Sequence, residues 1–205
     1  MIFSRQRRSG LGELAFLFFA IGLPVRADAH LVTTGLGPVY DGMEHMLLSP
    51  EQWIMVAGLA FLAGLNGPAA GRAVLFSLPT AWLAGGYVGH SIPLALPPLM
   101  PALTLLMVGA LVAADLKVVR HFVVIISAVL GFLQGYLNGV SFDATNGITL
   151  ILLGTSIVAF VIVALGAGLV VGVQGWRRIF VRVAGSWMAA IGILLAGWTI
   201  RKFGS

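Results

Sequence analysis

The stretch that decides the fold is residues 147–173, GITLILLGTSIVAFVIVALGAGLVVGV, which contains no charged side chain. A helix of about 20 mostly apolar residues is long enough to cross the hydrocarbon core of a bilayer. Residues 147–173 therefore predict a transmembrane helix. Five further apolar stretches lie at about residues 50–66, 72–90, 96–116, 118–140 and 179–199. We expect an all-α membrane protein with about six transmembrane helices.

The composition of the whole chain excludes several classes of protein. Of its 205 residues, 59% are hydrophobic and 9% are charged, whereas soluble domains carry about 25% charged residues. The chain has no cysteine, so a disulfide framework, a thiolate nucleophile and a cysteine metal site are excluded. Its basic residues are scattered at the ends of apolar stretches, which argues against nucleic-acid binding. No nucleophile–base pair or HExxH motif is present, so we do not expect an enzyme.

The N-terminal 29 residues have the pattern of a secretory signal peptide. Three arginines precede an apolar segment at 11–24, and the small-x-small sequence ADA follows at 27–29. We expect cleavage after residue 29 and a single polytopic domain over 30–205; the alternative is a retained first membrane helix. Cleavage would make His30 the N-terminal residue, whose amine and imidazole together form a chelate that suits copper or nickel.

The distribution of basic residues predicts the orientation in the membrane. An exported N-terminus puts the connections at 67–72, 117–120 and 174–182 in the cytoplasm, whereas those at 91–96 and 141–146 are outside. The cytoplasmic connections hold Arg72, Lys117, Arg120, Arg177, Arg178 and Arg182, and the outer ones hold no Lys or Arg. Basic residues favour cytoplasmic connections. The pattern therefore predicts a multi-pass protein of the bacterial inner membrane with its mature N-terminus in the periplasm.

A polar segment, GPVYDGMEHMLL at 37–48, precedes the first long apolar stretch. It predicts a short periplasmic or re-entrant helix, on which Asp41, Glu44 and His45 would share one face. Carboxylates and an imidazole suit a divalent transition metal. In the alternative, Asp41 is an N-cap and Glu44 its N3 partner in a capping box, which leaves His45 unexplained. The following sequence, SPEQ at 49–52, predicts a second helix start with Ser at N-cap, Pro at N1 and Gln at N3.

A second group of polar residues lies within the apolar stretches on the same predicted side. Gln134 and Asn138 are four residues apart, so they share a helix face, and His90 ends another stretch. Intramembrane polar groups face a cavity or one another. These three residues are secondary candidates for metal ligands; the alternatives are helix–helix hydrogen bonding for the amides and an interfacial position for His90. Glycines at 131, 135 and 139 predict close helix packing, and we expect Asp115 at the cytoplasmic interface.

The sequence GMEHML at 42–47 resembles the Gly-x-Asp-His-x-Leu signature of the HupE/UreJ family. Members of this family are small membrane proteins with an exported N-terminus, regarded as nickel or cobalt permeases and often encoded with hydrogenase or urease genes. The family's later His-Gly-x-x-His-Gly motif corresponds to QGYLNG at 134–139, and AGSWMAAIG at 184–192 is similar to its terminal helix. Mature chains of the family tend to begin with His, which corresponds to His30.

Several positions depart from the family pattern. The family's leading His falls at Pro38, its Asp is Glu44, and the two His of the later motif are Gln134 and Asn138. Because imidazole is a better ligand than an amide for borderline divalent metals, such a site should bind them more weakly. Asp41 can supply one replacement ligand.

These observations predict secondary transport or handling of a divalent transition-metal ion through a periplasm-facing polar site. The resemblance implies nickel or cobalt, and copper is a further candidate; the ion is expected as substrate, and no cofactor is expected with certainty. Candidate ligands are His30, Asp41, Glu44, His45, His90, Gln134 and Asn138. Expected partners are the lipid bilayer, the metal ion and a metalloenzyme or its maturation system. The alternative is a non-transporting membrane subunit or assembly factor for a metalloenzyme.

Overall fold

The computed structural model describes residues 35–142 and 147–203, which belong to one compact unit of the chain. The predicted signal peptide and His30 lie outside the described residues, so both stay predictions. The described part of the chain is α-helical. Its seven helices are α1 (Pro38–Leu48), α2 (Pro50–Leu65), α3 (Pro68–Ser91), α4 (Met100–Ala114), α5 (Arg120–Ser141), α6 (Ile148–Val170) and α7 (Trp176–Phe203).

Helices α2 to α7 coincide with the six predicted apolar stretches, and α1 confirms the short helix predicted before them. Three of the described helices, α5, α6 and α7, are long and apolar enough to cross a membrane. Helices α1 and α2 meet at 82° and together could form a fourth, broken span or a re-entrant loop. Helix α4 is apolar but has 15 residues, and α3 is long enough but less apolar. Membrane helices are therefore confirmed, while a count of six spans stays a prediction.

The predicted packing role of the glycines is confirmed where α3 and α5 touch. A methyl group on Gly135 would overlap the carbonyl oxygen of Trp82, and one on Gly139 would overlap that of Gly86. Gly85, in return, lies against the carbonyl oxygen of Phe132. Small residues allow helix backbones to approach this closely in a membrane, where dispersion and weak Cα–H···O contacts stabilise the pair. The two helices are therefore held backbone to backbone.

The same kind of contact attaches α1 to α6. A methyl on Gly42 would overlap the carbonyl oxygen of Ile151, and one on Gly154 would overlap that of Val39. Gly42 belongs to the polar segment, so its lack of a side chain is what lets this segment lie directly on α6. The docking of α1 determines where Glu44 and His45 are presented.

Helices α4 and α7 form another close pair. Gly109 and Gly185 face one another there, and added methyl groups would collide with backbone atoms of the partner helix. The other side of α7 is exposed and apolar: Trp187 and Trp198 are 70% and 72% exposed. Large exposed apolar side chains on an apolar helix of this length suit contact with lipid.

Candidate functional site

The N-terminus of α1 shows that the capping-box alternative is wrong. Helix α1 begins at Pro38 with Gly37, at φ 109°, as its N-cap, and no side chain caps it. Asp41 therefore lies within the first turn and Glu44 almost one turn further on, rather than at the N-cap and N3 positions. The helix starts early because Gly37 readily adopts a positive φ and Pro38 suits the first helical position.

Glu44 presents a carboxylate that the described structure leaves partly unsatisfied. The side chain is half-buried, and its Oε2 atom is buried without a hydrogen-bond partner among the described residues. A carboxylate oxygen accepts hydrogen bonds or binds cations, and burying it with neither is unfavourable. The position therefore suits a proton or a bound cation.

His45 lies beside the C-terminal end of α5. Its ring meets Phe142 edge to face, with the ring centroids 4.9 Å apart, and Phe142 is buried. The imidazole also lies near the side-chain amide of Asn138. The Ser49 hydroxyl donates to the His45 carbonyl oxygen at 2.8 Å, closing the turn between α1 and α2. Contacts from α5 and from this turn therefore hold the His45 residue in place.

Asn138 also joins α5 to α2 through a pair of amides. The Gln52 Nε2 atom donates to Asn138 Oδ1 at 2.8 Å, and Asn138 Nδ2 donates back to Gln52 Oε1 at 3.1 Å. Both side chains are buried. The expected N-cap at Ser49 and Pro50 at N1 are confirmed, but Ser49 makes no side-chain cap, and Gln52 bonds to α5 rather than to its own helix start. Sequence reasoning missed this role for Gln52.

A second interhelical hydrogen bond lies about one turn along α5. The Gln134 Nε2 atom donates to Thr104 Oγ1 of α4 at 3.4 Å, and that hydroxyl donates to the Pro101 carbonyl oxygen at 2.9 Å. Four residues along a helix correspond to about 6 Å, so this pair lies about 6 Å from the level of Asn138. Both predicted amides therefore form helix–helix hydrogen bonds, and Thr104 is a participant that the sequence did not reveal.

The remaining predicted ligands do not gather into one cluster. His90 lies half-buried in the last turn of α3, where its backbone nitrogen packs near Gly139, the residue after Asn138. The candidates on α1 do not form a ready-made cluster either: across residues 35–142 and 147–203, no three His, Asp or Glu side chains, Asp41, Glu44 and His45 included, are arranged to hold a metal ion. His30 lies outside those residues, so a ligand set that includes it stays a prediction.

Tyr136, between the two amides of α5, fixes the connection that follows α3. Its hydroxyl oxygen lies 2.9 Å from the Ile92 carbonyl oxygen and accepts from the Leu94 backbone nitrogen at 2.8 Å. Tyr136 is 8% exposed. The tyrosine in QGYLNG was the sequence signal for this contact, because a buried tyrosine hydroxyl usually has a hydrogen-bond partner.

The opposite end of the bundle is held by charged contacts. The Arg178 side chain binds Asp115 through two hydrogen bonds, Nε to Oδ2 at 2.5 Å and Nη2 to Oδ1 at 2.8 Å. These bonds, with the nearby positive charges, lower the pKa of the Asp115 carboxyl below its usual value. Asp115 ends α4 at φ 51°. This residue therefore ties α4 to the start of α7.

The sequence model of the family described as HupE / UreJ protein matches residues 17–195 of this chain. The chain belongs to the HupE/UreJ family. The match covers the motifs at 42–47 and 134–139 and confirms the resemblance found in the sequence. This family is associated with nickel or cobalt transport or with metalloenzyme handling. The apolar helices agree with a membrane protein of this family. Neither the curated proteins nor the solved structures include a significant match.

Proposed function

We propose that this protein binds a divalent transition-metal ion where α1 meets α5 and moves it across the membrane. Nickel and cobalt are the first candidates because of the family, and copper is the next. The observation that carries the proposal is the buried Oε2 atom of Glu44, which has no hydrogen-bond partner among the described residues. A cation at this position would satisfy the carboxylate.

The chemistry of the neighbouring groups suits transient binding. Glu44 supplies a hard oxygen ligand and His45 a borderline nitrogen ligand, a combination suited to divalent first-row metals. Asp41 precedes His45 by four residues and so shares its helix face. Asn138 and Gln134 stand where the family motif has histidines, and amides bind such metals more weakly than imidazoles. Weak binding favours transport, because an ion that passes through must also leave.

The buried amides of α5 suggest a route for the ion beyond the first ligands. Asn138 and Gln134 lie about one turn apart on the same helix face, and both are buried. In membrane proteins, polar groups on interior helix faces mark ion pathways or helix–helix contacts. The chain has no ATP-binding motif. The proposed transport is therefore secondary, channel-like or driven by a partner protein.

The test removes each candidate ligand of α1 separately. Glu44→Gln and His45→Ala should each lower nickel or cobalt uptake at least 10–100-fold, a loss typical even of changes just outside a ligand shell. Glu51→Gln is the matched control, since Glu51 is a neighbouring carboxylate in the first turn of α2. Uptake of nickel, cobalt and copper would be measured in vesicles that contain equal amounts of inserted protein. If both variants take up all three ions like the parent, the proposal of a metal site at α1 is wrong.

A second candidate function is that of a non-transporting membrane subunit or assembly factor for a metalloenzyme. It is favoured by the pairing of Gln52 with Asn138, whose amides satisfy each other without any ion. Purified protein in liposomes loaded with a nickel-sensitive dye separates the two functions. Nickel entry above that of empty liposomes supports transport. No entry, together with lower metal content of a co-expressed metalloenzyme when this protein is deleted, supports the assembly function.

A further inference from the structure

Most of the described basic residues lie at one end of the bundle, whereas the other end holds both acidic and basic residues. Among the described residues, one acidic residue, Asp115, lies at the end where α2, α4 and α6 finish and α3, α5 and α7 begin. Six basic residues accompany it there: Arg72, Lys117, Arg120, Arg177, Arg178 and Arg182. We call this the basic end. It is the end predicted to face the cytoplasm, where anionic lipids attract basic groups.

A cleft of about 340 Å³ opens at the basic end. Its walls are the end of α2, the start of α3, residues 170–174 at the end of α6 and beyond it, and Lys117 and Arg178. The Lys117 Nζ atom donates to the Leu65 carbonyl oxygen at 2.7 Å, which uses one of its three N–H groups. Asp115 holds Arg178 in place. Two cationic side chains are therefore fixed at the cleft by contacts within the protein.

Two apolar grooves adjoin this cleft, and each shares residues with it. The first, of about 190 Å³, lies between α3 and α6; it shares Pro68 and Val171 with the cleft and includes Arg72. Gly168 in its wall faces open space. The second, also of about 190 Å³, lies between α6 and α7 and includes Trp176 and Arg177. The cationic cleft thus continues into two apolar grooves, each with an arginine in its lining.

We infer that an anionic phospholipid binds at the basic end, with its phosphate in the cleft and its acyl chains along the two grooves. The cations of Lys117 and Arg178 recognise the phosphate, because Lys and Arg donate charge-assisted hydrogen bonds to phosphate oxygens. A free phosphate ion would use the cleft alone, whereas a phospholipid also covers the apolar surface of both grooves. Basic pockets between membrane helices on the cytoplasmic side are typical sites for anionic headgroups. This site is separate from the proposed metal site.

The headgroup is tested by native mass spectrometry of the purified protein with phosphatidylglycerol and with phosphatidylcholine of the same acyl chains. Lys117→Gln and Arg72→Gln should each weaken phosphatidylglycerol binding about five-fold and leave phosphatidylcholine binding unchanged. Arg201→Gln, at the opposite end, is the matched control and should bind like the parent. Equal binding of the two lipids by the parent would overturn the proposal. Displacement of phosphatidylglycerol by an equal concentration of inorganic phosphate would also overturn it.

The grooves are tested separately with Gly168→Leu. The new side chain fills the groove between α3 and α6, so long-chain phosphatidylglycerol should bind at least five-fold more weakly, while a short-chain analogue should keep its affinity. Gly197→Leu is the control, because Gly197 is also an exposed helical glycine that faces open space. Melting in detergent shows that each variant is folded. If Gly168→Leu binds the long-chain lipid like the parent, the acyl chain does not use this groove.

Discussion

The two ends of the bundle hold their polar groups in opposite ways. At the end that holds α1, neutral amides join α2 to α5, and the Glu44 carboxylate of α1 has a buried oxygen without a hydrogen-bond partner among the described residues. At the basic end, the Asp115 carboxylate has both of its oxygens bound by Arg178. A carboxylate that is satisfied within the protein has a structural role. A carboxylate left unsatisfied in a half-buried position is available to a cation, which is why the two ends call for different tests.

The largest expected effect concerns the sides of the membrane that the two ends face. The chain has no native cysteine, so single cysteines can be placed at Ser91, near the end with α1, and at Gln174, at the basic end. Both positions are exposed. Ser91→Cys should react completely with a membrane-impermeant thiol reagent added to intact spheroplasts. Gln174→Cys should react with the same reagent only after the spheroplasts are lysed. The reverse pattern would put the proposed metal site in the cytoplasm.

The next prediction concerns a variant that should disrupt the proposed metal site at one end of the bundle and leave the basic end intact. Gly42→Val places a branched side chain against the backbone of Ile151, which must push α1 away from α6 because overpacking at a backbone contact cannot relax easily. Metal uptake should fall at least 100-fold, whereas labelling of Gln174→Cys at the basic end should not change. Gly197→Val, which meets open space, controls for the β-branched residue in a helix. Normal uptake by Gly42→Val would mean that the position of α1 does not matter.

A smaller effect distinguishes a structural amide pair from an ion route. Asn138→Leu leaves the Gln52 amide buried without its partner, which should lower the free energy of unfolding by about 1–3 kcal/mol. The double variant Gln52→Leu/Asn138→Leu removes both polar groups and should recover most of that loss. Unfolding in mixed detergent micelles measures the stability of each variant. If the double variant is stable and still transports metal like the parent, the pair is structural and lies off the route.

The smallest effect is the pH dependence of the charged contact at the basic end. Asp115→Asn should cost about 1 kcal/mol at neutral pH, because a charged contact that is partly open to solvent contributes less than a buried one. Binding to Arg178 lowers the pKa of Asp115 in the folded protein. Its contribution is therefore complete above the usual carboxyl pKa of about 4 and is lost as the pH falls through the lower folded value. The stability difference between parent and variant should shrink below about pH 4 and stay constant from pH 5 to 8.

The sequence predicted the helices well and their contacts less well. Helix positions follow from long apolar stretches and from prolines at helix starts, which are local signals, so α1 and the six later helices lie where expected. The partner of Asn138 is Gln52, 86 residues away, and no local pattern connects them. The spacing of Gln52 from Ser49 fits the N3 position of a helix cap, so the sequence offered no reason to expect a contact with α5 instead. Thr104 was missed because a lone hydroxyl in an apolar stretch gives no signal of the helix it will face.

The glycine contacts also determine the order in which the bundle can be completed during synthesis. These close pairs include α3 with α5, α1 with α6 and α4 with α7, and in each of the three at least one other helix separates the partners along the chain. Helix α1 is the first of the seven described helices to emerge, but it cannot dock until α6 has been inserted. The face of α4 that contains Gly109 stays uncovered until α7, the last of the seven helices, arrives. A chain whose synthesis stops before α7 therefore keeps an uncovered glycine face on α4.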